Sequence, residues 1–195
     1  MTTPQRPICG IILAAGQSTR MGTRNKLLET WGSKPLLRHV VDAALASKLK
    51  NTVAVLGHEA DTVERALPDD FPTFVNGDFA NGMAGSLRAG LYRLQGLAHV
   101  MVLLGDMPLI NADHINEIIT AFENHEGNDC IVVATHNGKW GNPVLFGVDY
   151  FTDLKLLDGD SGARSVMNAH HDKIIEVEIG AAASKDFDTP EAFLD

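Results

Sequence analysis

The chain has 195 residues, of which 21% are charged and 45% hydrophobic, a composition typical of one globular domain with a sizeable core. Its net charge of −9 argues against nucleic acid as a partner, because binding along a phosphate backbone needs a basic face. The 2 cysteines, Cys9 and Cys130, lie inside apolar runs, which predicts buried thiols rather than a disulfide framework or a zinc site.

No segment predicts a membrane partner. The apolar run at 8–15 is too short for a bilayer span and lacks the flanks of a signal peptide. We therefore expect a cytoplasmic protein in a reducing compartment, with residues 1–195 forming a single domain.

Short apolar, β-branched runs alternate with amphipathic segments along the chain. Strands are predicted at 8–14, 52–57, 72–75, 99–105, 129–135, 142–147 and 174–179, and helices at 36–47, 60–67, 83–94, 112–124 and 162–170. Near-continuous apolar strands between helices are typical of a three-layer α/β fold with a mostly parallel sheet. After residue 128 the strands follow one another directly, which predicts an antiparallel or mixed extension that could form the second half of a cleft.

A glycine loop, LAAGQSTRMGTRNK at 13–26, directly follows the first strand. Gly16 and Gly22 permit close approach of backbone N–H groups to a triphosphate, and Arg20 and Lys26 supply positive charge. The loop matches neither GxxxxGK[ST] nor GxGxxG. The alternative interpretation is an ordinary strand-to-helix turn with two solvated cations.

Two carboxylates are candidates for holding Mg²⁺. Asp106 follows the buried strand HVMVLLG, at the sheet edge where the glycine loop also lies. Asp188, in KDFDTPEAF, follows the last strand, although Asp186 and Asp188 could instead belong to a helix start in which Thr189 is the cap. Asp78 also follows a strand, but its neighbours indicate a turn.

The segment LDGDSGARSV resembles a calcium loop only at its first and third positions, Asp158 and Asp160. Alanines stand where that loop needs a glycine at its sixth position and a glutamate at its twelfth. Helix capping by Asp160 or Ser161 is the better interpretation, and an anion could bind at that helix start near Arg164.

Taken together, the motifs resemble the molybdenum cofactor nucleotidyltransferase family (MobA-like), in particular its cytidylyltransferase, MocA-like branch. The matching stretches occur in family order: LAAGQSTRMGTRNKLL, NGDFANGMAGSLRAGL, LLGDMPLI, GNPVLF, LLDGDSGAR and DFDTPEAF. The resemblance implies a Rossmann-like (GT-A-like) nucleotidyltransferase fold. It also implies transfer of a nucleotide from a nucleoside triphosphate to the phosphate of molybdopterin, with release of pyrophosphate.

The resemblance also implies roles for individual residues. Base and ribose would contact Leu13, Ala14, Ala15 and Gly16, the phosphates would contact the catalytic Arg20 and Lys26, and Asp106 and Asp188 would hold Mg²⁺. Asn76, Gly82 and Ser86 match a segment that the family uses around the nucleotide. Asp106 would also contact the nucleotide and would be catalytic, like Arg20 and Lys26. One departure concerns the acceptor side: the family often has GHP where this chain has Gly141, Asn142 and Pro143.

The base preference follows from one position of the glycine loop. Ala15 stands where the guanylyl branch typically has glycine, so we expect CTP rather than GTP as the donor. The alternatives are a nucleotidyltransferase that uses GTP or a sugar phosphate acceptor, and a non-catalytic chaperone that hands the cofactor to a recipient molybdoenzyme.

Overall fold

The computed structural model describes residues 6–22, 24–94, 98–127, 129–159 and 162–193. Its strands are β1 (Ile8–Ala14), β2 (Thr30–Trp31), β3 (Lys34–Pro35), β4 (Thr52–Leu56), β5 (Thr73–Val75), β6 (His99–Leu104), β7 (Ile131–His136), β8 (Lys139–Phe146) and β9 (Ile174–Glu178). Its helices are α1 (Leu36–Ala46), α2 (Ala60–Glu64), α3 (Met83–Leu94), α4 (Ala112–Glu123), α5 (Phe151–Lys155) and α6 (Arg164–Ala169).

Seven of these strands form one mixed sheet in the order β5-β4-β1-β6-β8-β7-β9. The first four in that order are parallel to one another, whereas β8 runs antiparallel to both β6 and β7, and β9 is parallel to β7. The predicted three-layer, mostly parallel sheet is confirmed, and so is the mixed extension after residue 128.

Two hydrophobic cores lie on the two faces of the sheet, since successive residues of each strand point to opposite faces. Ile12 of β1 packs with α1 and α4 on one face, and the neighbouring Ile11 packs with α3, α5 and α6 on the other. Both isoleucines are fully buried. Burial of both faces explains why these strands read as continuous apolar runs.

The predicted elements differ from the observed ones mainly at their ends. The α2 helix ends at Glu64, three residues before the predicted end, and β8 begins at Lys139, three residues before the predicted start. The earlier start of β8 follows from a tight hairpin at Asn137 and Gly138, whose φ angles are 53° and 71°. An Asn-Gly pair is a strong hairpin signal that our sequence analysis missed.

Three short elements were not predicted: β2, β3 and α5. Each has two to five residues, too few for a hydrophobic period to stand out. Among the described residues, no helix combines the length and the hydropathy that crossing a bilayer requires.

Candidate functional site

The carboxyl ends of the parallel strands β1, β4 and β6 meet at one edge of the sheet, as the fold requires. A cavity of about 410 Å³, the first cavity, opens there. Its walls come from the glycine loop, the end of β6, and the segment that leads into α3. The lining residues are Leu13, Ala14, Ala15, Gly16, Gln17, Thr19, Lys26, Leu27, Phe79, Ala80, Gly82, Met83, Ser86, Leu104 and Asp106.

Local hydrogen bonds fold the described part of the glycine loop back on itself. The backbone N–H of Lys26 donates to Ser18 Oγ at 3.1 Å, and the backbone N–H of Met21 donates to the Ser18 carbonyl at 2.8 Å. Ser18 and Gly22 both have positive φ, 53° and 70°, which glycine adopts without strain and serine rarely adopts. These bonds carry Lys26 back to the cavity wall.

The strongest electrostatic feature is a cluster of four charged side chains. Lys26 Nζ donates to Asp106 Oδ2 at 2.5 Å and also to Asp188 Oδ1. Arg20 donates from the outer side to Asp188 Oδ2. The side chains of Lys26 and Asp106 are only 14% and 15% exposed, whereas that of Arg20 is 69% exposed. The cluster therefore runs from the cavity wall out to solvent.

Asp188 reaches this cluster because its neighbour Phe187 anchors the C-terminal segment. The backbone N–H of Phe187 donates to the Asp106 carbonyl at 3.1 Å. The Phe187 ring is 1% exposed and packs edge-on against Trp31 and Phe193, at centroid distances of 5.4 and 5.2 Å. A buried aromatic anchor thus joins two carboxylates that are far apart in sequence.

The cluster affects the pKa of Lys26 and that of the neighbouring Asp186. Burial lowers the pKa of the Lys26 ammonium, but the carboxylates of Asp106 and Asp188 outweigh it, so this pKa is raised overall. Burial raises the pKa of the Asp186 carboxyl, and the negative charges of Asp188 and Asp106 raise it further. Lys26 therefore stays charged, and the negative charges of Asp106 and Asp188 also act on the carboxyl group of Asp186.

The residues of the cluster fit a hard divalent cation. Asp106 Oδ1 is buried and makes no hydrogen bond with the described residues, which leaves one carboxylate oxygen available for another ligand. No group of three or more His, Cys, Asp or Glu side chains with metal-binding spacing occurs within the described ranges. Mg²⁺ commonly uses one or two carboxylates and takes its other ligands from water and phosphates.

Most of the predicted nucleotide residues line the first cavity. Leu13, Ala14, Ala15, Gly16, Lys26, Gly82, Ser86 and Asp106 contribute to its walls. Arg20 and Asn76 do not. Arg20 lies at the outer end of the charged cluster, and Asn76 lies behind Ser86, where its Nδ2 donates to Ser86 Oγ at 3.1 Å.

Gly57, at the end of β4, allows the walls of the first cavity to approach each other. A Cβ at this position would lie 2.6 Å from Phe79 Cβ and 2.8 Å from Ala15 Cβ, closer than carbon atoms pack. The contact between the glycine loop and the segment before α3 therefore requires glycine at position 57.

The predicted turn at Asp78 is observed, since the backbone N–H of Asp78 donates to Asn76 Oδ1 at 3.1 Å.

A second cavity, of about 210 Å³, adjoins the first. It contains Asn142, which the resemblance places on the acceptor side, and Arg164, which lies at the helix start where an anion could bind. The two cavities share Leu13, Met83 and Leu104. The further lining residues of the second cavity are Leu87, Val102, Trp140, Gly141, Asn142, Val144, Gly162, Ala163, Arg164 and Met167. The departure at Asn142 therefore falls in the wall of this cavity. The predicted caps Asp160 and Ser161 lie outside the described residues.

The comparisons with known proteins agree with this architecture. A family model described as the MobA-like NTP transferase domain matches residues 10–174. The bifunctional protein GlmU of Solibacter usitatus is 34% identical over 122 residues, 61% of this chain and 26% of the relative. The chain therefore spans about a quarter of that relative's length.

Solved structures resemble the chain over nearly its whole length. Rv0371c from Mycobacterium tuberculosis H37Rv has a TM-score of 0.84 at 27% identity, covering 98% of this chain and 97% of that one. Its complex with manganese has a TM-score of 0.80 at 26% identity, covering 96% of both chains. On the match over residues 10–174 and this fold, the chain belongs to the MobA-like NTP transferase domain family.

Proposed function

We propose that residues 1–195 form a single-domain cytidylyltransferase that moves CMP from CTP to the phosphate of molybdopterin and releases pyrophosphate. The observation that carries the proposal is the charged cluster at the first cavity. Lys26 bridges Asp106 and Asp188 at the wall of a cavity large enough for a nucleotide, next to a loop rich in small residues.

The glycine loop would hold the donor. Residues 13–16 line the wall of the first cavity and would contact base and ribose, while Ser86, held by Asn76, offers a hydroxyl to the same space. Lys26 and Arg20 would turn from the carboxylates toward the triphosphate and neutralise the charge that grows as pyrophosphate leaves.

No general base is needed in this mechanism. The attacking group is a phosphate monoester, whose second pKa of about 6 leaves it mostly dianionic at neutral pH. The work of the protein is to position the dianion in line with the α-phosphate and to shield its charge. The first cavity would hold the donor and the adjoining second cavity the acceptor, so that the two substrates lie next to each other.

Mg²⁺ would be held by Asp106 and Asp188. When bound, it would neutralise triphosphate charge and polarise the phosphoryl oxygens. The free Asp106 Oδ1 supports this role, as does the manganese complex of the related Rv0371c. Mg²⁺ is the ion that most commonly accompanies nucleoside triphosphates in such sites.

The compartment and the partner protein are part of the same proposal. Cys9 and Cys130 are free and buried, which agrees with a reducing cytoplasm. The product would pass to a recipient molybdoenzyme. Neither a membrane nor a nucleic acid is expected as a partner of an acidic chain.

The test is an activity matrix with pyrophosphate detection. CTP, GTP, ATP and UTP are each combined with molybdopterin, with glucosamine 1-phosphate and with no acceptor, in the presence of Mg²⁺ or of EDTA. We expect pyrophosphate only from CTP, molybdopterin and Mg²⁺ together. Release with glucosamine 1-phosphate would favour a sugar phosphate acceptor, and release with GTP would favour the guanylyl branch. No release from any pair would favour the insertion chaperone.

A further inference from the structure

Lys26 begins a short helical turn, Lys26–Leu28, and the first backbone N–H groups of such a turn have no partner inside it. Two side chains of the glycine loop supply the missing acceptors. Asn25, which is 6% exposed, accepts through Oδ1 from the N–H of Leu27 at 3.1 Å. Ser18 Oγ accepts from the N–H of Lys26 at 3.1 Å, across eight positions of the chain. Side chains of the loop therefore hold the backbone at Lys26 in place.

Ser18 makes this bond from a conformation that serine rarely adopts. Its φ of 53° and ψ of 33° lie in the left-handed region, where a Cβ crowds the backbone. The other non-glycine residues with positive φ in the described ranges are Glu59, Asp70 and Asn137. Strain of this kind persists where the surrounding structure enforces it, and it is concentrated at functional sites. The bond that the Ser18 hydroxyl accepts comes from Lys26, outside the turn that Ser18 itself forms.

The position of this backbone matters because Lys26 reaches the carboxylates through a long side chain. Its Nζ donates to Asp106 and Asp188, and its side chain is 14% exposed. The four-carbon stem of lysine is flexible, so the ammonium is well placed only if the backbone that carries it is fixed. Ser18 is not one of the described residues that line the first cavity. It therefore acts on that cavity through Lys26 and not by contact with a ligand.

We propose that Ser18 is a positioning residue for Lys26: its hydroxyl fixes the backbone of Lys26 so that the ammonium lies at the wall of the first cavity, and the strain at Ser18 is the stability given up for that placement. This rests on the proposed function in one respect, namely that Lys26 neutralises the charge of the departing pyrophosphate. A charge that is already in place needs no reorganisation during the reaction. Loss of the hydroxyl should therefore lower turnover more than it lowers the affinity for CTP.

Ser18→Gly removes the hydroxyl and the strain together, because glycine adopts the left-handed region freely. We expect turnover in the pyrophosphate assay to fall about tenfold, since a small displacement of a group that acts in the transition state is enough to slow the reaction. The KM for CTP should change less than about threefold. The urea midpoint should not fall, because the relief of strain offsets the greater freedom of the unfolded chain.

Asp70→Gly is the matched control for Ser18→Gly. Asp70 is exposed, has a φ of 60° and lines neither cavity, so glycine relieves a similar strain there. Its turnover should equal that of the wild type. The control therefore separates the loss of the hydroxyl from the general effect of a new glycine on a loop.

A double-mutant cycle with Lys26→Met distinguishes positioning from a general structural role. In the Lys26→Met background, Ser18→Gly should change turnover less than about twofold, because no charge is left to position. The same cycle, measured by urea denaturation, needs no substrate. Lys26→Met should lower the urea midpoint about half as much in the Ser18→Gly protein as in the wild type, because the ion pairs of Lys26 are already weakened there.

The inference is overturned by any one of three results. Ser18→Gly could keep the wild-type turnover, it could lower turnover by the same factor with Lys26 and with Met at that position, or Lys26→Met could lower the urea midpoint equally in both backgrounds. A wild-type protein that releases no pyrophosphate from any pair of nucleotide and acceptor would instead contradict the proposed function. The denaturation cycle would still test the role of Ser18 in that case.

Discussion

The two adjoining cavities are built in different ways. The first is lined by the ends of parallel strands and by a loop close in sequence. Lys26 and Asp106 in its wall contact Asp188, which in turn contacts Arg20 on the outer side. The second is lined mostly by the interiors of β6 and β8 and by α3 and α6, and Arg164 is the single charged residue in its described lining. Ion pairs between charged side chains therefore hold the wall of the first cavity together, whereas packing of apolar side chains forms most of the second.

The largest expected effect comes from removing one carboxylate of the first cavity. Asp106→Asn should lower turnover roughly 10²-fold or more, comparable with the loss of one preorganised electrostatic group. Steady-state pyrophosphate release measures this, and Asp188→Asn should follow the same direction. Asp78→Asn is the matched control, because Asp78 is an exposed turn residue. Wild-type turnover by a folded Asp106→Asn protein at limiting Mg²⁺ would remove Asp106 from the metal site.

The next effect concerns the cation between the carboxylates. Lys26→Met keeps much of the side-chain length and removes the charge, so turnover should fall more than CTP affinity does, by roughly tenfold or more. Arg20→Lys should not keep full activity, because a bidentate contact of the guanidinium with the triphosphate would be lost. Lys139→Met, an exposed lysine outside both cavities, is the control. A change confined to KM would mean that Lys26 only gathers the nucleotide.

Two glycine substitutions should perturb the cavities separately. In Gly57→Ala, the new Cβ meets Ala15 and Phe79 of the first cavity, so the KM for CTP should rise. In Gly141→Ala, the new Cβ would lie 1.9 Å from the Ala183 carbonyl oxygen, so β8 and the segment around Ala183 must separate and the KM for the acceptor should rise.

Each of these two changes should also cost about 1–3 kcal/mol of folding free energy, as overpacking does. Chemical denaturation measures that loss. Gly77→Ala is the control, since nothing lies within 4 Å of its added Cβ. If both substitutions raised the same KM, the two cavities would not be separate substrate sites.

A smaller effect concerns the base. CTP should have a higher kcat/KM than GTP, because the methyl group of Ala15 in the wall of the first cavity leaves less space for the base. Ala15 is 7% exposed. Ala15→Gly should relax this preference without inverting it, since a difference in shape alone is worth about 1–3 kcal/mol. Side-by-side kcat/KM values for CTP and GTP decide the question. Equal values in the wild type would place the protein outside the cytidylyl branch.

The smallest effect concerns the free energy of unfolding at high pH, to which one buried thiol in each half of the sheet contributes. Burial raises the pKa of the Cys130 thiol, beside β7, to about 11 from its ordinary 9.0, and burial raises the pKa of the Cys9 thiol in β1 as well. Above pH 9 the Cys130 thiol therefore ionises readily in the unfolded chain but not in the folded one, which favours unfolding. The contribution of the neutral thiol to the free energy of unfolding is complete below pH 9 and is lost as the pH rises toward 11.

For Cys130 the loss should reach about 1 kcal/mol by pH 10. Urea denaturation from pH 8 to 10.5 measures the slope, which Cys130→Ala should flatten and Cys9→Ala should change less. An identical slope in the wild type and in Cys130→Ala would show that this thiol is not protected from ionisation by the fold.

The same contrast explains what could be predicted from sequence. The strands of the parallel half end within one residue of their predicted ends, because burial on both faces makes them continuous apolar runs. The glycine loop and Asp106 follow two of those strands directly, so chain order alone placed them at one edge. Asp188 was harder to place, since its position depends on the packing of Phe187 against Trp31.

The second cavity could not be predicted from the same signals. Arg164 ends the stretch LLDGDSGAR, whereas Trp140 belongs to none of the matching stretches. The two residues line one cavity because α6 packs against the face of the sheet on which Trp140 of β8 also packs. The Asn-Gly turn at 137–138 would have extended β8 back to Trp140, but a strand position does not tell which side chains line a cavity. Contacts between residues far apart in the chain depend on tertiary packing.

The bridge that Lys26 makes between Asp106 and Asp188 also constrains how this protein can evolve. Loss of either carboxylate leaves a mostly buried ammonium with half of its compensation, and loss of the lysine leaves two carboxylates facing each other beside Asp186. Every single substitution thus passes through a less stable protein, because a buried charge without its partner is costly. The three residues therefore depend on one another for stability, and a descendant that abandons this chemistry must replace them together or gain stability elsewhere first.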